Sequence, residues 1–214
     1  MNRRRPGARS LLARLQLGLE ALYRVETQLA IDAFVIDGAA RDLVGPMRTP
    51  REQLLLREEN GELAIALFVD AAALANLERH DPAARLDDCN FTDFCLAVEG
   101  VSHFIYVALA AARERPVSQL ELELQAEVDK FICCALMLGG SPDLRRRLFG
   151  DVAYADDLSP DERERYRTAN LHAGRYAAAL ERRYAEETAA MLAELRRFYR
   201  MDLPDKLGRI AQLA

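Results

Sequence analysis

A mostly helical α+β fold, with a small antiparallel sheet near the N-terminus joined to a helical bundle, is the architecture this sequence predicts. Three observations predict it. Asn60-Gly61 separates two strand-like runs, an almost wholly apolar stretch occupies residues 93–112, and a capping box at Ser159 opens a helical pattern with no breaker before Pro204. With 214 residues, 50% hydrophobic and 29% charged, the chain suits one globular domain, or one domain with an appendage, and is not a disordered polymer.

The net charge of -5 and pI near 5.4 argue against a nucleic-acid partner, which calls for a basic face. Only Lys130 and Lys206 are lysines; this arginine bias, with the many alanines, suits a GC-rich bacterial genome. The division expected is a basic disordered arm over 1–9, an α+β core over 10–158, and over 159–214 a long C-terminal helix and a short terminal helix packing on the core or a partner.

Five arginines and no acid fall in the first nineteen residues. Arg14 and Gln16 interrupt any secretory apolar run, so a basic tail of a cytoplasmic protein is the expectation; an organellar transit peptide also fits the charge. Contact of five arginines with lipid or nucleic acid would be weak and salt-sensitive. Leu11, Leu15 and Leu22 then recur at helical spacing behind Ser10, a residue type suited to the N-cap, and predict a helix to about Tyr23. Alternation from Val25 to Val35 predicts a strand ending at Asp37 and Gly38.

Around Asn60-Gly61 both turn residues accept positive φ, so a hairpin is expected, with Leu63, Ile65, Leu67 and Val69 on one face. Everything after Asp70 reads as helix. Asn90 is expected to cap the apolar helix, Pro116 to separate it from the next, and Gly139-Gly140 to end that one. The stretch SPDLRRRLF reads as a short helix. From Ser159 the pattern predicts one helix of about 40 residues, roughly 60 Å long. Its seam runs through Tyr166, Asn170, Ala173, Ala177, Leu180, Tyr184, Glu187, Met191, Glu194 and Phe198. Two readings stand: the helix spans an internal bundle, or its distal half projects and pairs with another chain through Tyr184, Met191, Leu195 and Phe198.

The chemistry-bearing residues lie in the apolar helix and its successor. A helix apolar nearly all round is central to a bundle or crosses a membrane, and Glu99 and His103 make the central position the expected one. Spaced i,i+4, these two face one side and are expected to bond each other, with Tyr106 beside them. Glu127 falls near the middle of the buried stripe Leu120, Leu124, Phe131, Ala135 and Leu138, with Glu123 at its edge, and so needs a partner.

Three readings compete: a hydrogen-bonded network fixing register; a metal site of Glu99, His103, Glu123 and Glu127; and acid–base catalysis by Glu99, His103 and Glu127. The cofactor is left unknown. Asn170 and His172 are weaker candidates, with His172 expected in solvent. His80-Asp81 reads as loop. Cys89, Cys95, Cys133 and Cys134 show no zinc or disulfide spacing and read as small apolar side chains in a reducing cytosol. No phosphate loop, nucleophile elbow or HExxH motif is present. The leading function is a cytoplasmic interaction or assembly protein that binds itself or another protein; the alternative is a metal-binding protein or enzyme.

Overall fold

In the computed structural model, residues 9–44, 50–139, 143–150 and 152–213 are described. Helix α1 (Leu11–Tyr23) begins where Ser10 Oγ accepts from Ala13 N and ends at Arg24 in the left-handed region. Most of the basic arm, 1–8, lies outside the described residues. Strand β1 (Val35–Ile36) and the short helix α2 (Gly38–Val44) lead to the hairpin β2 (Glu52–Glu59) and β3 (Glu62–Val69). Asn60 and Gly61 both take positive φ, 54° and 81°, as the expected turn requires.

The sheet corrects two expectations. Its order is β1-β3-β2, and β1 runs parallel to β3, pairing Val35 with Leu67 and Ile36 with Phe68, so the sheet is mixed. The first strand is also far shorter than the alternation from Val25 suggested, because Gln16 on α1 receives Ile31 N and donates to the Leu29 carbonyl, holding that segment off the sheet.

Helix α3 (Ala71–Arg79) is capped by Asp70, and α4 (Phe91–Ala111) is the apolar helix. Asn90 stands at the N-cap position with no side-chain bond to the helix; instead its side chain receives Asp87 N and donates to the carbonyls of His80 and Arg85, tying the preceding loop. Length and composition would let α4 cross a membrane, yet 78% of its most apolar window is buried against β2, β3, α1, α3 and α5. Close seating on the sheet depends on Gly100, where a Cβ would lie 3.1 Å from the side chains of Glu52 and Leu67.

Helix α5 (Gln119–Leu138) runs from Ser118, which caps Glu121 N, to Gly139 at φ 64°. Ser141 and Pro142 lie outside the described residues, and from Arg146 to Gly150 the expected short helix is a π-type turn. Helix α6 (Pro160–Tyr184) opens with the full capping box of Ser159 and Glu162.

The single long helix does not form. The chain turns after Tyr184 and continues as α7 (Thr188–Tyr199) and α8 (Leu203–Leu213). Tertiary packing is the reason: Tyr176 stacks on Phe198 with ring centroids 4.0 Å apart, whereas 22 residues of straight helix would separate them by about 33 Å. Tyr199 likewise stacks on Tyr23, and Arg196 and Arg200 donate to the carbonyls of Leu22 and Tyr23 at the end of α1. The seam of Ala173, Ala177 and Leu180 therefore packs inside the bundle, and one core joins sheet, α1, α4, α5 and the C-terminal helices.

Candidate functional site

Antiparallel packing of α4 on α5 sets opposite one another, in order, Cys95 and Cys134, Glu99 and Lys130, Ser102 and Asp129, and Tyr106 and Glu121. Polar groups on two otherwise apolar faces thus meet as rungs rather than lying unpartnered. The rungs sort into two clusters.

The first cluster lies between α5, α4 and the sheet. Lys130 donates to Glu99 at 3.0 Å and to Glu127 at 2.8 Å. Glu127 thus finds the partner its buried position requires one turn along its own helix. His103 does not bond Glu99; it stands between Glu52, 3.7 Å from Nδ1, and Glu123, 3.6 Å from Nε2. Arg165 of α6 reaches to 3.9 Å from Glu123. Burial opposes the His103 imidazolium, but the flanking Glu123 and Glu52 outweigh it and hold its pKa well above the usual range. Lys130 follows the same rule through Glu127 and Glu99. Glu52 and Glu127 are raised by burial that their cations only partly offset, whereas Lys130 and His103 prevail over burial at Glu99 and lower it.

Glu52 was not among the sequence candidates, since nothing local marks a strand residue as the partner of a histidine 51 positions away. Glu99, His103, Glu123 and Glu127 do come together in one region, but as alternating cations and carboxylates. Among the described residues no three His, Cys, Asp or Glu side chains are arranged to hold a metal ion. The expected metal set is not gathered round one point: Lys130 takes Glu99 and Glu127, while Glu123 faces His103 and Arg165. Three buried polar atoms, Glu52 Oε1, His103 Nε2 and Arg165 Nε, have no hydrogen bond.

The second cluster is centred on Lys206 of α8, fully buried at 0% exposure, which donates to Tyr106 Oη at 2.8 Å and Gln125 Oε1 at 2.7 Å. Asp129 accepts from Tyr23, from Ser102 at 2.5 Å and from Gln125 at 2.9 Å. Tyr106, expected beside His103, instead donates to Glu121, which Arg115 also holds. Burial lowers the Lys206 pKa to about 7, since Glu121 and Asp129 act on it only through neutral intermediates. Gln125 and Asp129 share a face of α5 at i,i+4, but no helical periodicity ties Lys206 to them.

Away from both clusters, Asn170 donates to the Leu148 carbonyl, and His172, expected in solvent, is partly buried with Nδ1 unbonded. An apolar groove of about 600 Å³ opens between α5 and the bend joining α6 to α7. Tyr184, Met191 and Leu195 line it, with Phe131, Ile132 and Leu136 opposite; Leu136 is 62% exposed. Phe198, the fourth expected interface residue, is wholly buried beneath Tyr176 and cannot contact a partner in this fold. Comparison with family models, with curated proteins and with solved structures returns no match, so the geometry alone carries the functional argument.

Proposed function

We propose that this chain is a protein–protein interaction module whose groove between α5 and the α6–α7 bend receives the apolar face of a helix from a partner, either a second copy or another protein. The observation that carries the reading is the groove itself. Its volume of about 600 Å³ lies within the usual range for binding clefts, roughly 300–1,000 Å³. Leu136 stands at its lip largely in water, where docking would remove apolar area worth about 25 cal/mol per Å². A helix presenting residues at i, i+3 or i+4, and i+7 is the natural occupant of such a slot. The reading places the chain in the cytoplasm, supported by cysteine spacings that show no disulfide framework.

The test places a photo-crosslinking benzoylphenylalanine at Leu136 in cells. A light-dependent adduct is expected, its mass identifying the partner, and Met191→Glu in the same chain should abolish it. No adduct at Leu136 would overturn the reading. Leu136→Asp should leave folding stability within about 0.5 kcal/mol, as a change at an exposed position does.

A second reading, an acid–base site for a small polar ligand at Glu52, His103 and Glu123, has one observation in its favour. Glu52 Oε1, His103 Nε2 and Arg165 Nε are buried yet unbonded, a pattern that buried polar groups normally avoid. Native mass spectrometry of protein purified without chelators decides it. Added mass that disappears in His103→Ala supports a ligand or ion there; the bare chain mass discards it.

A further inference from the structure

The outermost rung of the α4–α5 ladder is neither an ion pair nor an ordinary hydrogen bond. Cys95 Sγ and Cys134 Sγ lie 3.8 Å apart across the two helices, in direct contact. A disulfide needs about 2.05 Å, so closure requires about 1.8 Å of approach, and the helices are already packed side by side. Their exposures differ in a useful way: Cys95 is partly exposed and Cys134 is wholly buried. An oxidant from solution therefore meets Cys95 first. Cys133, next in sequence, points from a different side of α5, as adjacent helical residues must.

We propose that Cys95 and Cys134 are a redox-active dithiol that closes to a disulfide when a hydroperoxide oxidises Cys95, tying α4 to α5. The Cys95 thiolate attacks one peroxide oxygen and the O–O bond breaks; with hydrogen peroxide the hydroxide released takes up a proton to become water. Cys95 is then a sulfenic acid. Cys134 sulfur attacks Cys95 sulfur, the S–S bond forms and the S–O bond breaks, and the departing hydroxide takes the Cys134 proton as a second water. Two thiols have lost two electrons and two protons, and one peroxide has become two waters. In the reduced protein the hydrogen bond with Cys95 and burial both hold the Cys134 thiol far above its ordinary range, so Cys134 stays protonated until Cys95 has been oxidised. Closure links residues 39 apart in sequence and should raise the melting temperature by several degrees.

The experiment exposes the folded full chain to graded hydrogen peroxide, then unfolds it, alkylates the remaining thiols and maps peptides by mass spectrometry. Expected are the loss of two alkylatable thiols and a Cys95–Cys134 cross-link reversed by dithiothreitol. The Cys89→Ser/Cys133→Ser variant should behave the same way, while Cys134→Ser should stop at a Cys95 sulfenic acid trapped by dimedone. The proposal fails if Cys95 and Cys134 stay alkylatable while exposed Cys89 oxidises, or if Cys95 pairs with Cys133.

Discussion

His103 and Lys206 are two buried bases within the same small bundle, and their surroundings drive them in opposite directions. His103 is flanked by two carboxylates, Glu52 and Glu123, and keeps its proton far more firmly than a free imidazole. Lys206 touches a phenol and an amide, with Glu121 and Asp129 one bond further off, and loses its proton near neutrality, at about 7. Burial penalises both charges alike. What differs is whether the negative charge touches the base or is relayed through a neutral group, and that decides which effect wins.

The largest way to break this contrast is to remove the charge that Lys206 feels at a distance. Asp129→Ala strips the acceptor from Tyr23, Ser102 and Gln125 at once and deletes a carboxylate facing a buried ammonium. A loss of about 3–5 kcal/mol in urea unfolding is expected, because breaking a buried ionic network leaves its other members uncompensated. A loss below 1 kcal/mol would show that water already satisfies those donors.

Next in size are the two pH slopes. The folded pKa of Lys206, about 7, lies below its unfolded value near 10.5, so between these values the unfolded state binds the extra proton. Stability from this group therefore rises with pH through that window, by up to about 1.4 kcal/mol per pH unit. For His103 the folded pKa lies above the unfolded 6.5. Its contribution is full below that value and is lost as pH rises through the folded pKa. Stability curves of Lys206→Met and His103→Gln against wild type should thus differ in opposite senses: the first variant loses a rising component, the second a falling one. Slopes of the same sign would refute the contrast.

How far these two regions could be read from sequence follows from the range of the forces that form them. Ser10 and Ser159 were legible as caps, and Asn60-Gly61 as a turn, because each satisfies backbone groups within a few residues. The parallel pairing of Val35 with Leu67 was not, since it joins segments 32 residues apart with no turn between them to mark it. Nor was the bend after Tyr184: no proline or glycine stands there, and its cause is the distant stacking of Tyr176 on Phe198. At the site, the burial of Glu127 and His103 could be inferred from helical stripes. Lys130 was within reach of the i,i+3 rule, but Glu52 and Lys206 arrive from other elements and carry no local signal.

The smallest perturbation tests the contrast most finely. At Gly100 an added Cβ would stand 3.1 Å from Glu52 Cγ and Oε1 and from Leu67. Gly100→Ala gains about 1 kcal/mol of helix propensity and spends a similar amount on crowding, so net stability should move by less than about 1 kcal/mol. The Glu52 carboxylate, the more flexible neighbour, should shift away from the helix and from His103. Because Glu52 is one of the two charges that hold the imidazolium, an NMR titration should then show the His103 pKa falling toward its ordinary value while Lys206 stays near 7. An unchanged His103 titration would mean that Glu123 alone suffices to hold the proton, and direct contact with a single carboxylate would then account for the whole difference from Lys206.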